Sequence, residues 1–177
     1  PWLARQKVAA MAADDKMAPT LRPAEARDGP ALIRAHLRSR ALHGDWVAPF
    51  TTDEGFESWL AATRGPAPRK VALLAECAGA VIGVVNLNEI VRGSFLSCYM
   101  GYYGLADAEG RSLAGAGRMT EAVRLAVAHA FGPLGLHRVE ANIQPANHRS
   151  IALVRRLGFR LEGVSPGYLH IAGAWRD

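Results

Sequence analysis

The chain has 177 residues and a formal net charge of +5, and half of its residues are hydrophobic. This length predicts one globular domain, and no apolar run approaches the roughly 20 residues that a membrane-spanning helix needs. The charge comes mostly from arginine, without a dense basic run or an aromatic-interleaved basic patch, which argues against sequence-specific nucleic-acid binding. Cys77 and Cys98 are too few for a disulfide framework and favour a reducing, cytoplasmic setting.

The first half of the chain predicts a lead-in, a strand, two helices and a hairpin. Residues 1–19 are rich in alanine and charge and are expected to be a weak helix or disordered. Apolar spacing and turn residues then predict the following elements: a strand at Thr20–Pro23, a helix over 26–42, a helix that starts at Thr52 and ends before Gly65, and strands over 71–75 and 80–87 around the turn Cys77-Ala78-Gly79.

The second half alternates strands and helices. A strand is predicted over 95–103, and the polar stretch 105–113 is expected to be a loop. The remaining predicted elements are a helix over about 117–131, a strand over 138–143, a helix over 147–157, and strands over 159–161 and 168–171. The hairpin favours antiparallel pairing, whereas strand 95–103, helix 117–131 and strand 138–143 form one βαβ unit. The expected class is therefore α+β, with a mixed sheet rather than a doubly wound parallel one.

A glycine-bearing turn leads directly into helix 117–131. Gly115 and Gly117 allow a ligand to approach the backbone closely, and the helix start behind them offers N–H groups and a positive dipole end. This combination predicts a seat for a phosphate or pyrophosphate. A dinucleotide fingerprint would need a third glycine where Thr120 stands, and no Gly-Lys-Ser/Thr follows to make a Walker loop.

The motifs as a set resemble the Gcn5-related N-acetyltransferase (GNAT) superfamily, and within it the RimJ/RimL ribosomal-protein alanine N-acetyltransferases. The resemblance covers about residues 20–177. The segments that carry it are, in order, 92–102, 115–122, 136–141, 145–150, 158–159 with 162–163, and 168–169 with 173–177. The family motif Gln/Arg-x-x-Gly-x-Gly/Ala falls on the turn, where Ala114 and Met119 occupy its first and last positions.

The resemblance implies a GNAT fold: a three-layer α/β/α sandwich whose mostly antiparallel mixed sheet splays between its fourth and fifth strands. It implies one acetyltransferase domain over 20–177, in which the last strand of the relatives is missing. It also implies acetyl-CoA as cosubstrate, with its pantetheine arm between strands 95–103 and 138–143. The residues expected to hold acetyl-CoA are Gly115, Ala116, Gly117, Arg118, Met119, Thr120, Asn147 and Ser150.

Four residues are expected to act in the chemistry. The resemblance places the Ser150 hydroxyl near the thioester sulfur, where it could protonate the leaving thiolate, and offers Tyr168 as an alternative acid. Glu140 could accept the proton of the amine, or it could simply pair with Arg138 or Arg118 as a surface ion. A backbone N–H near Tyr102 would hold the oxyanion.

Other side chains have simpler interpretations. Asn147 should cap the helix that follows it, in addition to any contact with the ligand. Cys98, among apolar neighbours, reads as a buried small residue rather than a nucleophile. His137 and His170 read as structural, and no cluster has zinc-ligand spacing. The aromatic residues Trp46, Phe50, Phe56 and Trp59 should form core, with one or two of them lining the acceptor mouth.

The sequence does not identify which amine accepts the acetyl group. A protein N-terminal alanine or serine is the first candidate for the amine. A small amine such as an aminoglycoside, a polyamine or an amino-acid conjugate is the alternative on the same fold. A non-catalytic acyl-CoA-binding module is a hypothesis of another class. No membrane partner is expected, and a homodimer is compatible with the sequence.

Overall fold

The computed structural model describes residues 2–4 and 18–177. A short 3-10 turn at Ala26–Asp28 precedes the first α-helix. The helices are α1 (Gly29–Arg38), α2 (Arg40–His43), α3 (Asp53–Ala61), α4 (Arg118–Phe131) and α5 (His148–Arg156). The strands are β1 (Trp2–Ala4), β2 (Thr20–Pro23), β3 (Val71–Cys77), β4 (Ala80–Val91), β5 (Ser97–Gly104), β6 (Arg138–Ala141), β7 (Arg160–Leu161), β8 (Leu169–Ile171) and β9 (Ala174–Arg176).

The main sheet has seven strands in the order β2-β3-β4-β5-β6-β1-β7. Its pairs are antiparallel except for β5 and β6, which run parallel because α4 crosses over between them. The predicted mixed sheet of an α+β fold is thereby confirmed. The fourth and fifth strands in spatial order are β5 and β6, and they pair over only three residue positions.

Helices cover both faces of the sheet, as the three-layer prediction requires. On one face, α4 and α5 cover a core that includes Val85, Met100 and Val139. On the other face, α1 and α3 pack against Leu74 and Val84. The two faces alternate along each strand because successive side chains point to opposite sides of a sheet. Residues paired in register on neighbouring strands point to the same side of the sheet, so a residue's partner shows which helical layer its side chain faces.

Local chemistry explains where the helices begin and end. The Thr52 hydroxyl accepts a hydrogen bond from the Gly55 N–H and caps α3, as its sequence signal predicted. Asn147 caps α5 in the same way. Gly158 follows α5 with φ near +80°, a conformation that glycine adopts without the steric cost of a Cβ atom.

The helix predicted over 26–42 is interrupted, and the prediction is wrong at this point. The 3-10 turn, α1 and α2 replace it, with Ser39 between the two α-helices. The buried Ser39 hydroxyl donates to the Ala35 carbonyl at 2.6 Å and accepts from the Ala106 N–H at 2.9 Å. The Ser39 side chain thus forms hydrogen bonds both with the backbone of α1 and with the loop after β5. The break between α1 and α2 therefore depends on a tertiary contact.

Several strand predictions also need correction. Strand β4 runs on to Val91, and β5 begins at Ser97, after a turn at residues 93–94 and the exposed Phe95. The predicted strand at 168–171 is the first arm of a β8–β9 hairpin that forms a separate two-stranded sheet. The lead-in was expected to be helical or disordered, but Trp2–Ala4 is a strand between β6 and β7. The remainder of residues 1–17 lies outside the described part of the chain.

Candidate active site

The parallel strands β5 and β6 separate after a short paired stretch. Their last register pair is Tyr99 with Glu140, beyond which β5 continues to Gly104 while β6 ends at Ala141. We call the space beyond this pair the β5–β6 opening. Tyr102 lies on the α4/α5 face of the sheet, whereas Tyr99 and Tyr103 face the α1/α3 layer, which we call the acceptor face.

A direct contact joins β5 to α5 at the opening. The Tyr102 Oη atom lies 2.6 Å from the Ser150 Oγ atom and 3.2 Å from the Ser150 carbonyl oxygen. Burial raises the pKa of Tyr102 to about 12, so its hydroxyl keeps its proton at neutral pH. Ser150 is in the first turn of α5, where its backbone N–H donates to the Asn147 Oδ1 at 3.1 Å. Two hydroxyls are thus fixed together beside the helix start.

The turn before α4 has a backbone geometry that is typical of anion-binding turns. Ala116 and Gly117 are consecutive residues in the left-handed region, with φ near +55° and +79°, and Gly117 is the N-cap of α4. Successive backbone N–H groups in such turns can converge on an anion. Of the predicted donors, the Arg118 N–H already bonds the Gly115 carbonyl at 3.1 Å, and the Met119 N–H bonds the Ala114 carbonyl at 3.3 Å.

Side chains of this turn are held by its surroundings. The Arg118 guanidinium donates to the Leu113 carbonyl at 3.2 Å, and Met119 is buried in the main core. Gly115, Ala116 and Gly117 are exposed, which leaves the backbone of the turn accessible to a ligand. The preceding stretch 105–113 is a loop, as predicted, and the Asp107 carboxylate stabilises it through hydrogen bonds from the Arg111 backbone and side chain.

Glu140 lies on the opposite face of the sheet from Ser150. Its carboxylate accepts from the Arg138 Nε at 2.8 Å, and Arg138 also pairs with Glu162. The register partner of Glu140 on β5 is Tyr99. Tyr99 is hydrogen-bonded to Tyr168, and this bond is the main reason that the pKa of Tyr99 is raised. The structure therefore brings Tyr102, Ser150 and Asn147 together on one face of the opening, and Glu140 and Tyr168 on the other.

The other residues considered in the sequence analysis make packing contacts. Cys98 is buried, and the loss of hydration raises the pKa of its thiol to about 12, which fits a core residue rather than a nucleophile. His170 makes an edge contact with the Trp175 ring. Phe56 is buried with half-buried Phe50 and Trp59 packed on the same core, whereas Trp46 is exposed and lines a shallow hollow with residues 170–172 of the hairpin.

Two buried histidines beside the opening were missed from the sequence. The His36 Nδ1 lies 2.8 Å from the Phe50 carbonyl, which can only accept, so this nitrogen carries the proton. The His36 Nε2 therefore accepts from the Tyr103 hydroxyl at 3.3 Å, and the His43 Nε2 donates to the Gly104 carbonyl at 2.9 Å. Burial lowers the pKa of both rings, and that of His36 falls to about 4.

These histidines hold the end of β5 against α1 and α2, next to the opening. The two histidines are seven residues apart on consecutive helical segments, which places them on one face of a helix. This spacing is the same for residues of a hydrogen-bond network and for ordinary core residues, so the sequence alone did not reveal the network. Within residues 2–4 and 18–177, no three metal-type ligands come together, and no helix there is both long and apolar enough to cross a membrane.

Comparison with known proteins defines the class. The profile of the acetyltransferase (GNAT) domain matches residues 20–160, and the chain belongs to this family. The chain is 43% identical over 97 residues to the [ribosomal protein uS5]-alanine N-acetyltransferase of Escherichia coli K12, covering 55% of this chain and 47% of that protein. The chain thus spans about half the length of the curated relatives it matches.

Solved structures extend the similarity over most of the chain. The structure described as Mycobacterium smegmatis RimJ in complex with CoA-disulfide superimposes with a TM-score of 0.77 at 27% identity, covering 91% of this chain and 81% of that one. A spermidine N-acetyltransferase from Vibrio cholerae, in complex with CoA and spermine, has a TM-score of 0.73 at 20% identity and covers 93% and 92%. The second likeness shows the fold alone.

Proposed function

We propose that the chain transfers the acetyl group of acetyl-CoA to a primary amine, and that this amine is a protein N-terminus beginning with alanine or serine. The observation that carries the proposal is the 2.6 Å contact between the Tyr102 and Ser150 hydroxyls, at the point where β5 and β6 separate. Membership of the GNAT family and the relatives named for uS5-alanine acetylation support it.

Acetyl-CoA would enter from the α4/α5 face. Its pyrophosphate would lie on the exposed turn Gly115–Ala116–Gly117 at the start of α4, whose dipole favours negative charge. The pantetheine arm would run along the free edge of β5 within the opening. Asn147, at the start of α5, stands where it can both cap the helix and contact this arm. The thioester would then end beside Tyr102 and Ser150.

The reaction needs an acid for the departing thiolate. The neutral amine attacks the thioester carbonyl carbon, and the resulting oxyanion is held by a backbone N–H of β5 near Tyr102. When the carbon–sulfur bond breaks, the Ser150 hydroxyl donates its proton to the sulfur. Tyr102, which burial keeps neutral, positions the Ser150 hydroxyl through their hydrogen bond, and the proton that the amine releases is balanced by reprotonation of Ser150 from solvent.

The amine would approach from the acceptor face, where its proton has a route to solvent. The Glu140 carboxylate lies on this face and is held in place by Arg138. Since it is mostly screened from solvent, it is positioned to accept a proton from the attacking nitrogen directly or through water. Tyr168, which is bonded to Tyr99 on the same face, is better placed to line the acceptor path than to reach the thiolate.

A turnover screen tests the proposal and its alternatives. Purified protein is supplied with acetyl-CoA and, separately, with Ala-, Ser- and Lys-starting peptides, spermidine and an aminoglycoside, and thiol release is followed with a chromogenic disulfide. We expect turnover on Ala- and Ser-starting peptides. Faster turnover with spermidine or the aminoglycoside would reject a protein N-terminus as the acceptor and would support a small amine in its place. Tight CoA binding without turnover on the whole panel would leave an acyl-CoA-binding module and would reject the enzyme.

A further inference from the structure

Lys70 is a cation without a counter-ion on the acceptor face. It directly precedes β3 and lies four residues before Leu74, a core residue of the α1/α3 layer, so both side chains point to the same side of the sheet. The Lys70 Nζ atom lies over the ring of Trp59 in α3, 5.6 Å from its centroid. Among the described residues, the Lys70 ammonium forms neither an ion pair nor a hydrogen bond, and the carboxylate of Glu89 pairs with Arg69 instead. Burial lowers the pKa of Lys70, because the charged form loses hydration.

Trp59 connects Lys70 to the strands beside the β5–β6 opening. The Trp59 Nε1 atom donates to the Asn86 Oδ1 atom at 3.1 Å. Asn86 on β4 is paired in register with Gly101 on β5. Gly101 lies two residues after Tyr99 and therefore beyond the last β5–β6 pair. A straight path along the acceptor face from the opening to Lys70 thus passes over Gly101, crosses β4 at Asn86 and ends at β3.

The acceptor face is open at the start of this path. A Cβ atom added to Gly101 would have only the Asn88 Nδ2 atom within 4 Å, at 3.7 Å. The backbone of Gly101 does not have a positive φ, so the local conformation does not require glycine there. The missing side chain therefore leaves space between Tyr99 and Tyr103, which point to the same face of β5. The Asn88 amide borders this space and can form hydrogen bonds with a peptide backbone.

We infer that Lys70 binds the carboxylate of an acidic side chain in the acceptor peptide, and that this contact selects peptides with Asp or Glu at the third or fourth position. The inference rests on the proposed function and defines its acceptor more closely. Neighbouring strands lie about 4.8 Å apart, so β3 is about 10 Å from β5. An extended peptide spans that distance in about three residues. An acidic side chain at the third or fourth position therefore reaches Lys70 when the amino group is at the opening.

A carboxylate is the ligand that the surroundings of Lys70 favour. The ammonium has three N–H donors, and its charge-assisted hydrogen bonds to a carboxylate are short and strong. The Trp59 ring covers one side of the ammonium and excludes water there, which reduces screening of the pair. The positive charge also repels the additional amino groups of a polyamine. Lys70 therefore favours an acidic peptide over spermidine as the acceptor.

Two peptides of identical composition and net charge test the inference. Ala-Ala-Glu-Glu-Gly-Gly-Gln-Gln has its acids at the third and fourth positions, whereas Ala-Ala-Gln-Gln-Gly-Gly-Glu-Glu has them beyond the reach of Lys70. The kcat/KM for each peptide is measured by thiol release at saturating acetyl-CoA, for the parent chain and two variants. Lys70→Met keeps an unbranched side chain over Trp59 and removes the charge, and Lys70→Arg keeps the charge as the matched control.

We expect the parent chain to prefer the peptide with the early acids by about five-fold in kcat/KM. Lys70→Arg should keep this preference, and Lys70→Met should reduce it below about two-fold. In the parent chain, raising the salt concentration to about 1 M should also reduce it, which tests the ion pair without any substitution.

The possible failures separate the inference from the proposed function. Equal kcat/KM for the two peptides, a preference that Lys70→Met retains, or a preference that salt does not change would overturn the inference and leave acetylation of a protein N-terminus in place. Turnover on neither peptide, nor on any other Ala- or Ser-starting peptide, would overturn the proposed function and this inference with it.

Discussion

Replacing Ser150 by alanine should reduce turnover without disturbing the fold. The change removes only the Oγ atom, whereas the cap of α5 uses the Ser150 backbone N–H, which remains. The buried residues of this helix, Leu153 and Val154, are not touched. If the hydroxyl protonates the leaving thiolate, its loss removes a general acid, and such groups contribute about 10² to 10⁴ in rate. We expect kcat to fall by about 10² while KM for acetyl-CoA changes by less than about three-fold.

Tyr102→Phe should have a smaller effect that is not additive with the first. Among the described residues, both hydrogen bonds of the Tyr102 hydroxyl go to Ser150. One such bond is worth about 1 to 1.5 kcal/mol, which corresponds to about a ten-fold loss of kcat. Since Tyr102 acts through Ser150, the double variant should be no slower than Ser150→Ala alone, giving a coupling free energy of about 1.4 kcal/mol.

The assay measures thiol release at saturating Ala-starting peptide, with kcat and KM for acetyl-CoA determined for the two single variants and the double variant. Ser150→Thr, which keeps a hydroxyl, serves as the matched control and should retain most of the activity. The reasoning is refuted if Ser150→Ala keeps the kcat of the parent. It is also refuted if the two single losses simply multiply in the double variant, because the hydroxyls would then act independently.

Three further predictions concern stability. Asn147→Ala should lower the free energy of unfolding by about 1 kcal/mol in urea titration, whereas Asn147→Ser keeps a capping oxygen and most of that stability. Ala116→Gly should raise the free energy of unfolding by about 1 kcal/mol in the same titration, since Ala116 has φ near +55°; a lower midpoint would contradict this strain. Protonation of the neutral His36 adds a proton at Nε2, which removes the hydrogen bond that this nitrogen accepts from Tyr103 and places a charge in a buried site. Its pKa is depressed from 6.5 to about 4, so stability should fall below pH 6.5 by about 3 kcal/mol at pH 4, and His36→Gln should flatten that profile.

The elements nearest the proposed cosubstrate were the easiest to predict. Helix α4 and its glycine-bearing turn, the Asn147 cap and the parallel direction of β5 and β6 follow from apolar spacing, turn residues and one crossover, all of which are local signals. The break at Ser39 did not follow, because the hydroxyl that marks it bonds a loop 67 positions away. The partnership of His36 with Tyr103 is equally distant in sequence, and no periodicity reports it.

The sequence by itself determined the α+β class and the glycine-bearing turn at the start of α4, and the family resemblance supplied the residues proposed for catalysis. Only the tertiary structure decided that Ser150 and Glu140 stand on opposite faces of one opening, because a side chain's face depends on strand register. It also decided that Trp2–Ala4 lies between β6 and β7. A three-residue strand carries too little pattern to name its neighbours, and its place is set by which unpaired edges and which apolar pockets the rest of the fold leaves to fill.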